Sequence, residues 1–241
     1  MTSEELRHKL EFYRDLGIKD VYRRTPASAP LAASPVELMP VEIKIPSLTP
    51  AGDSLPRILE DIGDCKRCRL HEGRNKIVFG SGDPAAKIVF VGEGPGADED
   101  EQGLPFVGRA GQLLTQMIDG TASKEGIPLK RPDVYICNVV KCRPPENRTP
   151  EPDEMEICGQ FLFRQLTSIQ PKAICALGTT AAKALLGGKD GVTKLRGKWH
   201  KWHDIPLLVT FHPSYLLRPY NQNAKRESWE DLKMLLHFVY G

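Results

Sequence analysis

No stretch of this chain is apolar enough to cross a bilayer, and its opening MTSEELRHKL is charged where a secretory leader would be apolar. There is no internal repeat, no P-loop Lys-Ser/Thr and no G-x-G-x-x-G fingerprint. An excess of one charge is lacking too. The 33 Lys and Arg stand against 31 Asp and Glu, and a net charge of +2 does not by itself declare nucleic-acid binding. These features predict a cytoplasmic protein with no membrane partner. In that reducing compartment a cysteine serves as a ligand or a small buried hydrophobe more readily than as half of a disulfide. Hydrophobic content of 40% over 241 residues suffices for one good-sized core plus extras.

What the chain does have is a telling arrangement of its six cysteines. Cys65-x2-Cys68 holds two thiolates at the spacing that clasps one iron or zinc centre, and Cys142 and Cys158 can complete a four-thiolate cage. Spacing alone leaves zinc, an iron–sulfur cluster and four unrelated thiols open. Cys137 and Cys175 lie inside apolar strands and read as small hydrophobes.

Residues 3–24 show helical periodicity, with Leu6, Leu10, Tyr13 and Leu16 at spacings of three and four and Ser3 as N-cap. A segment rich in Pro, Ala and Ser follows, so residues 1–53 are expected to be a helix plus an extended linker. Residues 54–241 form the expected folded domain. There, KIVFV (87–91), DVYICNVV (133–140), KAICALG (172–178) and LLVTFHP (207–213) read as strands. Between and after them, residues 108–118, 153–167, TTAAKALL capped by Thr179, and 225–240 read as helices. This alternation predicts an α/β protein with a mostly parallel sheet, binding its ligand at the carboxyl ends of the strands. GEGPG (92–96), Asn138 and His212 all lie at or just past strand ends.

The GEGPG loop carries Glu93, Asp98, Glu99, Asp100 and Glu101, acids that would repel a phosphate. It suits a neutral or transiently cationic ligand, or is a plain Gly/Pro turn with solvated acids. HPSYLLR (212–218) sets adjacent leucines beside an arginine, a pattern suited to insertion into a nucleic-acid stack or to starting a core segment.

Taken together, Cys65-x2-Cys68, GEGPG, PFVG (105–108), NVVKCRPPENR (138–148), Cys158 and HPSYLLR resemble the iron–sulfur uracil-DNA glycosylases called family 4, over roughly residues 55–240. The resemblance implies a three-layer α/β/α uracil-glycosylase-like fold around a four-stranded, mainly parallel sheet. It also implies a structural [4Fe–4S] cluster on Cys65, Cys68, Cys142 and Cys158. The expected activity is monofunctional hydrolysis of the N-glycosidic bond of deoxyuridine flipped from single- or double-stranded DNA. Phe106 is similar to the aromatic on which uracil stacks, Asn138 to the amide that reads O4 and N3–H, and His212 to the histidine that stabilises the departing anion at O2. Gly94 and Gly96 stand where the better-known family 1 enzymes carry an aspartate and a tyrosine. Glu93 and Glu99 are then the available carboxylates for the catalytic work of water positioning, oxocarbenium stabilisation or steric gating, Glu93 lining the pocket and Glu99 shaping it. Leu216 is the expected wedge, with Arg218, Lys194, Arg196, Lys198 and Lys201 as phosphate contacts. The protein is expected to act as a monomer, with the N-terminal helix a possible tether to a repair or replication partner. Two other readings remain at this point: a glycosylase of the same fold for other deaminated bases, and a non-enzymatic iron–sulfur nucleic-acid-binding protein.

Overall fold

The computed structural model describes residues 52–218 and 220–241, together with Ser3, Glu4, Leu6 and Arg7. The expected N-terminal helix and linker fall almost wholly outside the described residues. None of the described helices is long and apolar enough to cross a membrane.

Six strands form one sheet: β1 (Ser81–Gly82), β2 (Ile88–Gly92), β3 (Tyr135–Asn138), β4 (Ala173–Leu177), β5 (Trp199–Trp202) and β6 (Ile205–Thr210), in the spatial order β1-β3-β2-β4-β6-β5. The central four pair in parallel, and β1 and β5 add antiparallel edges. The expected four strands are thus present, and the sheet is wider by two short edges. Both edges evade a reading based on apolar runs. β1 is two residues long and half glycine, while β5 (WHKW) carries the polar residues of an edge strand.

β2, β3 and β4 are buried along their whole length, as strands covered on both faces must be. Alternate residues face opposite layers. Val89, Val91, Ile174 and Ala176 pack toward α1 (Leu55–Ile62), α4 (Pro152–Ile169) and α5 (Gly178–Leu186). Ile88, Phe90, Ile136 and Cys175 pack toward α3 (Arg109–Lys124) and α8 (Gln222–Tyr240). Three short helices, α2 (Ala97–Gln102), α6 (Val192–Leu195) and α7 (Pro213–Leu216), lie in the loops.

The local chemistry fixes the ends of these elements. Ser54 caps α1, and Pro152 opens α4 with Glu154 accepting from the Glu151 amide at 2.8 Å. Thr179 differs from its expected role: α5 begins one residue before it, and its hydroxyl instead accepts the Val192 amide at 3.2 Å, tying α5 to α6.

Candidate active site and cysteine pocket

Gly92 and Asn138 are paired neighbours at the ends of β2 and β3, and Leu177 and Thr210 are paired at the ends of β4 and β6. The segments leaving these four ends surround a cleft of about 780 Å³. Glu93, Gly94, Gly96, Glu99, Phe106, Asn138 and His212 all line it, so the parallel sheet brings together residues spread over 120 positions of sequence.

Asn138 is almost fully buried, and its Oδ1 meets no hydrogen-bond donor among the described residues. A buried acceptor without a partner is disfavoured by about 1–3 kcal/mol unless a ligand supplies the donor. The neighbouring Gly92 leaves room for this arrangement. A β-carbon there would collide with Asn138 Oδ1 and the Phe106 ring, so Gly92→Ala is expected to lower kcat/KM by about 10²-fold through misplacement of both groups, read in steady-state base release.

Phe106 sits at φ 54°, a left-handed conformation that non-glycine residues rarely hold without support. The support comes from both sides. Glu99 accepts from the Val107 and Gly108 amides at 2.9 Å each and from the Gly96 amide at 3.1 Å. Arg131 donates to the Pro105 carbonyl at 2.8 Å, and α3 approaches so closely at Gly111 that a β-carbon there would strike the Phe106 backbone. The carboxylate of Glu99 is therefore occupied with main-chain amides. It braces the aromatic loop against the glycine loop, from within the lining of the cleft. Asp100 is likewise structural, accepting from the Asn75 amide and side chain.

His212 opens α7, and its ring lies 5.6 Å from that of Phe106. Its Nδ1 accepts the Ser214 amide at 3.2 Å and lies 2.8 Å from the Ser214 hydroxyl, so the ring proton resides on Nε2. Burial pushes the imidazole pKa down to about 4, leaving the ring neutral near pH 7. Behind it, Gly178 sits at φ +89°, and a β-carbon there would lie 3.0 Å from the His212 β-carbon, so the glycine makes room for the histidine. Glu93 accepts a hydrogen bond from Thr180, which also lines the cleft. Thr180 was missed in the sequence, although a hydroxyl three residues past a parallel strand was findable by position. Gly94 packs on Val140, and a β-carbon there would lie 2.8 Å from that side chain, leaving little space for anything larger.

Two expected DNA contacts are placed elsewhere. Leu216 is 1% exposed and packs with Phe211 and Ala224, because the single turn of α7 points it into the core; its neighbour Tyr215 is 39% exposed and lines the cleft. Arg196 pairs with buried Asp231 at 2.8 Å, an anchor between α8 and the segment before β5. Lys194 pairs with Asp190 on the surface, while Lys198 and Lys201 are exposed. Arg218 is exposed, with its guanidinium over the Tyr215 ring at 5.7 Å.

Cys65, Cys68, Cys142 and Cys158 line one small, largely apolar pocket with Ile62, Ile77 and Phe161. Protein donors already reach two of the sulfurs: Arg74 Nη1 lies 3.4 Å from Cys142 and the Lys141 amide 3.2 Å from Cys158. Burial pushes the Cys68 and Cys142 thiols up, and that of Cys158 to about 12, so bare thiolates are disfavoured here without a bound cation. Among the described residues no three His, Cys, Asp or Glu side chains gather closely enough to enclose a single ion. The four sulfurs share one dry, largely apolar pocket, a donor set whose chemistry suits a thiolate-bound metal group. Beside the pocket, Glu154 is buried between Arg69 at 2.9 Å and Arg148 at 2.7 Å, and its pKa is held down to about 2, chiefly by the Arg148 hydrogen bond. Through Arg148, which lines the cleft, this pair joins the cysteine loops to the candidate site.

The family model of the uracil DNA glycosylase superfamily matches residues 79–233. A type-4 uracil-DNA glycosylase of Thermotoga maritima is 47% identical over 184 residues, 76% of this chain and 93% of that protein. Similar proteins of the same description occur in Sulfurisphaera tokodaii (45% over 191 residues, 76% and 84%) and Archaeoglobus fulgidus (41% over 191 residues, 76% and 92%). The family-model match covers the sheet, the cleft and two of the four pocket cysteines, Cys142 and Cys158.

Proposed function

This chain belongs to the uracil-DNA glycosylase superfamily and excises uracil from DNA by hydrolysis of the N-glycosyl bond, and we propose that the cleft at the strand ends is where flipped deoxyuridine is held and cleaved. The observation that carries this assignment is the buried, unpartnered Asn138 Oδ1 opposite the Phe106 ring. Uracil offers an N3–H donor to that oxygen and an O4 acceptor to the same amide's Nδ2. Cytosine reverses both groups. Phe106, locked by Glu99 and Arg131, supplies the flat surface on which the extruded base stacks.

Bond cleavage leaves negative charge on uracil and positive charge on the sugar. The Nε2–H of neutral His212 donates to O2 as that charge develops, an electrostatic role that needs no proton transfer. Glu93, oriented by Thr180, is placed to stabilise the sugar cation and align the attacking water. Water adds its oxygen to C1′, the electron pair of the broken bond leaves with uracil N1, and the water's proton ends on solvent or the base. With Leu216 buried, the gap left in the stack falls to exposed Tyr215, and Arg218 and Lys198 are available to phosphates.

Cys65, Cys68, Cys142 and Cys158 would hold a [4Fe–4S] cluster, which when bound supplies a rigid clasp between chain segments. Its position next to Asn138 in sequence would brace the strand end that reads uracil.

A neutral His212 predicts a kcat that stays level as pH falls through 6.5, the ordinary imidazole value, and declines only near about 4. The stability effect has a definite sign. The unfolded imidazole takes its proton near 6.5 and the folded one only near about 4. The stability due to neutral His212 is thus fully present above 6.5 and lost as pH falls toward 4. Single-turnover pH profiles and denaturant melts check the two halves.

The function itself is tested by incubating purified protein with oligonucleotides carrying one uracil, then treating with alkali. Strand breakage at the uracil position is expected. Breakage equal to a no-enzyme control would contradict the assignment.

A further inference from the structure

Lys141 is wholly buried, yet it has no carboxylate partner among the described residues. Its ammonium donates to the Asn138 carbonyl at 2.8 Å and to Gln165 Oε1 at 2.6 Å, both neutral. Gln165 in turn donates to the Phe79 carbonyl at 3.0 Å and the Tyr135 hydroxyl at 3.2 Å, so the network holds no anion of its own. Buried Glu154 and Asp231 are paired with arginines, Glu154 with Arg69 and Arg148 and Asp231 with Arg196, while buried Asp100 is held by the Asn75 amide and side chain. A buried ammonium without compensation is strongly disfavoured, so its charged form calls for an anion close by.

The cysteine pocket is the place for it. Lys141 lines that pocket, its own amide reaches Cys158 Sγ at 3.2 Å, and the next residue is Cys142. The other cation there, Arg74, touches Cys142 but is already paired with Asp64 at 2.5 Å. Four thiolates outweigh the positive charge of an iron–sulfur core, so the loaded site is an anion. We propose that Lys141 is the fixed countercharge of the loaded cysteine site. It holds that charge against the main chain of Asn138, so the strand end that reads uracil is tied to the cluster by electrostatics as well as by sequence. The inference rests on the reading that the quartet holds an iron–sulfur cluster.

The test compares wild type with Lys141→Met, Lys141→Gln and Gln165→Glu after reconstitution with iron and sulfide, measuring the cluster's midpoint potential and the rate of iron loss to a chelator. All three changes remove or neutralise one positive charge beside the cluster. Each should shift the potential to more negative values, because adding an electron becomes harder. The two Lys141 variants should lose iron several-fold faster than wild type. Gln165→Glu keeps the lysine and pairs it in place, so it carries the test if the Lys141 variants do not fold. Potentials and iron loss equal to wild type in the folded variants would overturn the proposal. So would a shift in Lys141→Met that Lys141→Gln and Gln165→Glu do not share, since that pattern reports packing rather than charge. A wild type that takes up no iron overturns the cluster reading and this one together; a loaded wild type with silent variants overturns this one alone.

Discussion

Asn138→Asp is expected to lower kcat/KM for uracil by about 10²-fold or more while raising the cleavage of cytosine relative to uracil. The carboxylate keeps an acceptor for N3–H but loses the amide donor to O4. It sets a charged oxygen against the O4 lone pairs in a site where the native side chain is 1% exposed. A mispaired buried group is destabilising by roughly 1–3 kcal/mol, more when charged, and each 1.4 kcal/mol is about tenfold. Cytosine presents an amine to the same oxygen, so its penalty shrinks as uracil's grows. Base-release rates on matched oligonucleotides measure both changes. An unchanged uracil-to-cytosine ratio would remove Asn138 from base recognition.

His212→Ala is expected to reduce kcat by about 10²–10³-fold, the size associated with loss of one donor aimed at a developing oxyanion. KM should change much less, because the hydrogen bond to O2 strengthens as charge develops rather than on binding. The residual activity should keep the level pH response of the wild type, since His212 is already neutral and donates from Nε2. A large rise in KM with unchanged kcat would instead make His212 a ground-state contact.

Much of this site is legible in the sequence because a parallel sheet converts strand ends into neighbours. Gly92, Asn138, Leu177 and Thr210 end four apolar runs, and the residues following them meet without further information. The spacing of Cys65 and Cys68 marks a pair, and the fold brings Cys142 and Cys158 to the same pocket. What the sequence hides is the direction a side chain takes within a single helical turn. Leu216 and Tyr215 are adjacent, and only the packing of α7 on Phe211 and Ala224 decides that the leucine is inward and the tyrosine outward. The partner of a charge is hidden in the same way. Arg196 looks like a free phosphate contact until Asp231, 35 residues on, is folded against it. The bracing duty of Glu99 is hidden until Val107 and Gly108 bring their amides to it. Lys141 shows the converse, since its lack of a partner becomes visible only once its burial is known.

A crystal structure with free uracil soaked into the cleft tests the central claim most directly. The account predicts the ring stacked on Phe106, N3–H on Asn138 Oδ1, and O2 on His212 Nε2. Uracil bound with these edges exchanged, or outside the cleft altogether, would contradict it.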